Sequence, residues 1–264
     1  MDEFRRLLAQ RGEELYRSMP WREDTRPYYV LVSELMLQQT QVTRVVPKFE
    51  AFIARFPDEE SLAHASLAEV IQLWQGLGYN RRAKFLHLAA QVIIEQFDGV
   101  FPSNVTDILQ LPGVGKNTAG AILAYAFNQP AVYIETNIRT VYIHHFFADN
   151  FSVTDKEIEE LVVATIDRDN PRRFYQNLMD YGTWLKASGV RNTTQSHHYK
   201  KQPPLKGSVR EIRGQIVALL ASGELSEASL RQALPHDERY AVALSGLIRD
   251  GLITQSHNRV RLAA

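Results

Sequence analysis

The chain contains no cysteine in 264 residues. Disulfides, cysteine-ligated zinc and iron–sulfur clusters are therefore excluded as stabilising or catalytic devices. Long apolar runs are missing too: none approaches the roughly 18 residues needed to span a bilayer. The opening Met1-Asp2-Glu3 predicts no signal peptide, so a cytoplasmic protein is expected. Charge of either sign is not in excess, with 30 Lys+Arg against 30 Asp+Glu, and the global balance neither supports nor excludes a polyanionic partner. No repeat or low-complexity stretch is evident. The histidine pairs His144-His145 and His197-His198 are adjacent in sequence and would point apart on a helix, so no metal site is predicted. What remains is the composition of a globular protein, 45% hydrophobic and 23% charged, with length enough for two or three domains.

The apolar spacing is almost wholly helical. Phe4, Leu7, Leu8, Leu15 and Tyr16 mark a first helix ending near Pro20. Helices are predicted over 28–39, 40–56 (bent or restarted at Pro47), 61–65, 67–74, 81–96, 104–110, 117–127, 135–147, 155–168 and 172–186. Ser66 and Glu69 have the spacing of a capping box, and Gly76-Leu77-Gly78 is a turn.

Residues 111–122, Leu-Pro-Gly-Val-Gly-Lys-Asn-Thr-Ala-Gly-Ala-Ile, are more specific. Pro112 and Gly113 form a tight turn, and Gly115 lets the backbone bend again before an Ala/Gly-rich helix. The first amides of that helix, Lys116 to Thr118, have no internal partner and suit a phosphate, with the Lys116 charge beside them. An ordinary αα-hairpin with a Pro-Gly turn is the plainer reading, since short glycine patterns are weak evidence.

Two carboxylates lie among hydrophobes. Glu34 is surrounded in sequence by Val30, Leu31, Leu35, Leu37 and Val42. Burial would raise its pKa and make it a candidate acid near neutral pH; exposure, or pairing with Arg22 or Arg44, is the alternative. Gln38, Gln39, Thr40 and Gln41 follow it, a polar run suited to insertion into a duplex. Glu135 follows Tyr133-Ile134, and Asn137 two residues on could bond a substrate or the chain. One carboxyl kept neutral and one kept ionised suits acid-assisted cleavage through an oxocarbenium-like state.

Residues 191–207 read as a basic linker. From Lys186 to Arg213 there are seven bases (Lys186, Arg191, Lys200, Lys201, Lys206, Arg210, Arg213) against Glu211 alone, a net of +6. This stretch suits either a solvated linker or phosphate contact. Residues 208–264 then predict a winged helix: helices over 208–221, 226–234 and 237–249, and two strands over 252–254 and 259–262 around Ser256-His257-Asn258. The third helix carries Asp237, Glu238, Arg239 and Arg249, so protein contact or packing is as plausible as reading a groove.

Four stretches carry a family resemblance: Pro20-Trp21-Arg22, Ser33 to Val42, Leu73 to Tyr79, and Leu111 to Ile122. In their order, over about residues 18–185, the chain resembles the helix-hairpin-helix DNA glycosylases, and within them the adenine DNA glycosylases of the MutY type. The resemblance implies an all-α, two-lobed body over 1–190, with a six-helix lobe over about 20–128 and a second lobe from 1–19 and 129–190. It implies that Glu34 protonates the departing adenine, that Glu135 occupies the place of the aspartate that stabilises the sugar cation, and that Asn137 assists it. Arg22, Leu37, Asn117 and Gln176 fall at base-binding positions. Gln38, Gln39, Thr40 and Tyr79 fall at the wedge in the duplex, and Gly113, Gly115, Lys116, Asn117 and Thr118 at the phosphate grip.

Three departures from the family pattern stand out. Glu replaces Asp at 135, Lys186 stands where a first cluster cysteine would be, and the family's C-terminal lesion-checking domain gives way to the 208–264 module. Asn117 is no amine nucleophile, so a lyase step is not expected. No cofactor is expected, although hairpin carbonyls could hold a structural monovalent cation. The implied reaction is release of a mispaired adenine opposite 8-oxoguanine or guanine, and the implied partner is double-stranded DNA with a mismatch or lesion, with no membrane, bound by a monomeric, nucleoid-associated enzyme. The alternatives are a glycosylase for uracil or thymine opposite guanine or for a damaged purine, and a non-catalytic lesion-binding protein.

Overall fold

A computed structural model describes residues 1–148, 150, 152–199, 201–235 and 237–263. In chain order the helices are α1 (Asp2–Glu14), α2 (Pro20–Glu23), α3 (Pro27–Leu37), α4 (Val42–Arg55), α5 (Glu59–Ala63), α6 (Leu67–Trp74), α7 (Arg81–Gln96), α8 (Val105–Ile108) and α9 (Lys116–Tyr125). They continue with α10 (Thr136–Phe146), α11 (Asp155–Thr165), α12 (Pro171–Ala187), α13 (Val209–Leu220), α14 (Glu227–Ala233) and α15 (Glu238–Arg249). Three short strands, β1 (Leu225–Ser226), β2 (Ile253–Ser256) and β3 (Arg259–Leu262), form an antiparallel sheet in the order β1-β3-β2. The two expected strands are present as β2 and β3, and β1 is added to them. Leu225 pairs with Val260 and Ser226 with Arg259, a third strand too short for alternation to reveal. Among the described residues no helix is long and apolar enough to cross a membrane.

Local chemistry explains most boundaries. Asp58, Ser66 and Thr154 close capping boxes at the starts of α5, α6 and α11. The first helix ends at Glu14, short of the expected end near Pro20, and Pro20 instead opens α2 at the first helical position, where its missing N–H costs nothing. Pro47 lies inside α4, which runs through it. Its ring is exposed, so water can reach the carbonyl left without a donor. The predicted join of α3 to α4 at 39/40 is moved by two residues, because Gln39 takes a left-handed φ of 55° and ends the first helix.

Contacts divide the chain into two compact units. The first comprises Met1–Leu31, Pro102–Gln110 and Val114–Lys201. There α12 packs against α1 and α10 around Phe4, Leu8, Ile138, Val141, Tyr142, Tyr175 and Leu178. Close approach is enforced by glycine: a Cβ on Gly182 would stand 2.7 Å from the Asn137 backbone oxygen, and one on Gly120 would stand 2.8 Å from Tyr133 Cβ. The second unit comprises Val32–Phe101, Leu111–Gly113 and Gln202–Ala264. Its helices α4 to α7 bury Val45, Phe49, Phe52, Ile71, Trp74 and Leu86, while α13 and α15 pack on each other beside the sheet. Lys84 Nζ of α7 donates to the Asp250 and Gly251 carbonyls (2.8 and 3.3 Å), placing a cation at the negative end of α15.

Candidate functional site

In the first unit, the strand-like approach Tyr133-Ile134 is buried and delivers Glu135 to the start of α10. Glu135 is the N-cap: its Oε1 accepts from the Asn137 backbone N–H at 2.7 Å. Glu135 retains some surface, yet protein packs densely around its carboxyl, and burial pushes the pKa above the ordinary carboxylate range. The Asn137 and Ile138 amides and the Lys186 and Arg139 charges oppose that shift. Arg139 is itself held bidentately by Asp155 (2.7 Å each), and Lys186, in the last turn of α12, is half-buried with its own pKa lowered by desolvation. Ionisation at 135 thus works against burial and depends on neighbouring cations.

Asn137 donates Nδ2 to Met179 Sδ at 3.6 Å, while its Oδ1 is buried with no hydrogen-bond partner in the protein. An acceptor left in that state costs about 1–3 kcal/mol. Asn117, exposed at the start of α9, donates Nδ2 to the Ile134 carbonyl at 2.7 Å and so fixes the residue before Glu135. Gln176 is buried on α12. The Arg22 side chain is largely covered: Nη1 donates to Asp180 Oδ2 (2.7 Å) and to the Arg17 carbonyl (2.9 Å), and Nη2 to Asp180 Oδ1 (3.1 Å). Arg17 Nε adds a further bond to Asp180 at 2.7 Å. Asp180 escaped the sequence reading; a lone acid on an otherwise packed helix face is the signal that could have found it. The amides of Lys116, Asn117 and Thr118 begin α9 without a side-chain cap, after Gly115 at the N-cap, and Lys116 is exposed.

In the second unit, Glu34 is partly exposed although Val32, Ser33, Leu35 and Met36 around it are buried. Leu37 ends α3 half-buried, and Gln38 and Gln39 are exposed. Gly113 holds φ +81°, where a Cβ would meet Phe85 Cβ at 2.7 Å. Tyr79 is 40% exposed and, at φ 49°, adopts a conformation costly for a bulky L residue. The device that holds both kinks is Arg82, which the sequence reading did not single out. Its Nη1 donates to the carbonyls of Leu35 (2.6 Å), Met36 (3.0 Å) and Gln38 (2.7 Å). Its Nη2 donates to Thr40 Oγ1 (3.3 Å) and the carbonyls of Leu77 (3.1 Å) and Gly78 (3.0 Å). Burial draws this guanidinium down to a pKa of about 10, so it stays charged at neutral pH. Thr40 is therefore part of the frame behind the loop, while Gln39 and Tyr79 project from it.

The basic stretch is partly consumed in internal contacts. Arg191 donates to the Lys186 carbonyl, Arg213 pairs with Asp250 at 2.6 Å, and Arg210 reaches Tyr79. Lys200 lies outside the described residues. The residues present do not fit an iron–sulfur cluster, since the chain has no thiolate and Lys186 brings an ammonium instead.

Comparison with known proteins gives a consistent result. The family model described as "HhH-GPD superfamily base excision DNA repair protein" matches residues 32–166. The chain is 38% identical over 173 residues to an adenine DNA glycosylase of Buchnera aphidicola subsp. Baizongia pistaciae, covering 64% of this chain and 48% of that protein. It is 31% identical over 264 residues to an adenine DNA glycosylase of Mycobacterium tuberculosis, covering 91% and 87%. The chain thus spans about half the length of the Buchnera relatives it matches. A solved thermostable thymine-DNA glycosylase superposes with a TM-score of 0.63 at 25% identity, covering 73% of this chain and 90% of that one. A non-covalent endonuclease III–DNA complex shares the fold, with a TM-score of 0.61 at 17% identity over 73% and 90%.

Proposed function

The chain belongs to the HhH-GPD superfamily of base excision DNA repair proteins, on its adenine DNA glycosylase branch, and we propose that it hydrolyses the N-glycosidic bond of a mispaired adenine extruded from duplex DNA. The observation that carries this reading is the start of α10. A carboxylate in a desolvated setting is steadied by an amide and by cations, beside an asparagine oxygen that the protein leaves unpaired. Ionised, Glu135 stabilises the positive charge that develops on the sugar as the base leaves. In low-dielectric surroundings that interaction is stronger than in water. Asn137 Oδ1 accepts a hydrogen bond from the attacking water or the sugar. Glu34 gives the departing base its proton, which makes adenine a neutral leaving group.

Gln39 and Tyr79 fill the gap left by the extruded nucleotide, and the amides of Lys116 to Thr118 with Gly113 and Gly115 hold backbone phosphates. Asn117 acts by fixing Ile134 rather than as a nucleophile, so hydrolysis proceeds without a Schiff base. The enzyme works as a monomer on nucleoid DNA. The element order helix–strand–helix–helix–strand–strand over 209–262 supports a winged-helix module. Its α15 exposes Val242 and Ile248, and Arg239 there is bonded to Asp237, which favours protein contact over groove reading.

Single-turnover reactions on duplexes holding adenine, thymine or uracil opposite each base, followed by alkali to cut abasic sites, test the assignment. Adenine is expected to be released fastest. The 25% identity to a thymine-DNA glycosylase favours one second reading, in which thymine opposite guanine is the substrate; the same panel decides between them. Tight binding of every duplex without any abasic product would refute both.

A further inference from the structure

Glu135 and Arg139 stand four residues apart at the start of α10, in the order Glu then Arg that favours an ion pair along a helix. The Arg139 charge acts on Glu135, as does that of Lys186 from α12. Yet the guanidinium goes to the first residue of α11 instead, where its Nε and Nη2 each donate to Asp155 at 2.7 Å. Asp155 is itself held from two sides. The Thr154–Glu157 capping box fixes the turn that opens α11, with Glu157 Oε2 accepting from the Thr154 N–H (2.8 Å) and hydroxyl (2.7 Å). The segment after α12 bonds to Val153: the Val153 N–H donates to the Gln195 carbonyl (2.8 Å), and the His197 N–H to the Val153 carbonyl (2.9 Å). The same segment is anchored to α10 by Asn192, whose Nδ2 donates at 2.9 Å to the carbonyl of Thr140, the residue after Arg139. His198 then places Nε2 3.9 Å from Asp155 Oδ2.

We propose that Asp155 is a positioning residue for base release: it grips Arg139 and so keeps that cation off the Glu135 carboxylate, which is left free to face the developing sugar cation. The inference rests on the reading of the chain as a glycosylase in which Glu135 performs that task. A carboxylate ionises more readily near cations, but one in contact with a guanidinium presents a nearly neutral pair to anything else. Held at Asp155, Arg139 still acts on Glu135 through space while its donors are engaged elsewhere. The bidentate geometry is the strong form of an Arg–carboxylate contact, because the planar fork matches both oxygens. Hydrogen bonds from Arg139 hold the Asp155 carboxyl below the ordinary carboxylate range, so the grip is charged at neutral pH. His198, exposed and at a longer distance, adds to the charge around Asp155 without taking the place of Arg139.

The test measures single-turnover release of adenine from one mismatched duplex as a function of pH. It uses the full chain and the variants Asp155→Asn, Arg139→Gln and the two substitutions together. Asp155→Asn frees Arg139 to reach Glu135. Its plateau rate is expected to fall by about 10-fold or more, because the charge facing the sugar is cancelled. Its rising limb should move to lower pH by about one pH unit or more, since a contact guanidinium favours the ionised carboxylate. Removing the cation as well should undo the loss, bringing the double variant within a few-fold of Arg139→Gln alone. A merely structural role of Asp155 predicts otherwise: a smaller folded fraction lowers the plateau, leaves the limb in place and is not repaired by a second substitution in the same network. A limb that stays put in Asp155→Asn, or a double variant no faster than Asp155→Asn, overturns the inference while the glycosylase reading stands. A wild type that releases no adenine from any mismatched duplex overturns the reading and the inference together.

Discussion

Replacing Arg82 with methionine removes the clamp behind both projecting loops while keeping a long apolar stem. Six oxygens share the four N–H groups of its two Nη atoms at 2.6–3.3 Å. Hydrogen bonds from a charged donor contribute roughly 1.5–3 kcal/mol each, and every buried carbonyl left unpaired costs about 1–3 kcal/mol. Against this stands the cost of burying the cation, visible in its lowered pKa and in Nε, which is buried without a partner. Removing one side of a buried charged network typically costs about 3–5 kcal/mol, and we take that range. In a chain of this size each kcal/mol lowers Tm by roughly 2–4 °C, so a fall on the order of 10 °C is expected. Arg82→Lys, with three donors, should fall between methionine and wild type. Urea unfolding followed by tryptophan fluorescence gives the free energy, since Trp74 lies 5.5 Å from the guanidinium and bonds the same Gly78 carbonyl. Under conditions where the variant is folded, duplex binding should also weaken, because Gln39 and Tyr79 lose the bonds that hold their left-handed backbone. A methionine variant within about 1 kcal/mol of wild type would refute the clamp.

Glu34→Gln should abolish base release while leaving mismatch affinity within a few-fold, as a general acid acts mainly in the transition state; gel-shift and single-turnover assays on the same duplex check this, and full turnover would sink the assignment. The rate should rise with pH through the titration of Glu135, whose buried carboxyl ionises above the ordinary carboxylate range. Lys186→Met removes a cation that favours the ionised form, so the rising limb of the pH–rate profile should move to higher pH; a limb that stays put refutes the coupling. The same shift has a sign in stability. A carboxyl whose folded pKa is raised stabilises the fold below its unfolded pKa, and that contribution is lost as pH rises through the folded value. Glu135→Gln should therefore be inactive yet gain thermal stability relative to wild type as pH increases, which thermal melts across pH 4–8 would show.

The helical class and the hairpin were legible because they are local. Periodicity marks helix faces, the Pro112-Gly113 turn writes its conformation into residue types, and the box at Ser66 lies within one turn. Strand β1 was not legible, since two residues carry no alternation and Leu225-Ser226 becomes a strand only by pairing with Val260 and Arg259. Arg82 reads in sequence as one of two adjacent bases on α7. Only packing shows that Arg81 is largely exposed while Arg82 is buried against carbonyls more than forty residues away. Asp180 likewise gains meaning from Arg17 and Arg22 at the other end of the chain. Sequence alone determined which groups can donate, accept or ionise, because that is covalent chemistry. Tertiary structure decided which of them are desolvated, paired or left over, because hydration and hydrogen-bond partners are set by residues that meet only when the chain folds.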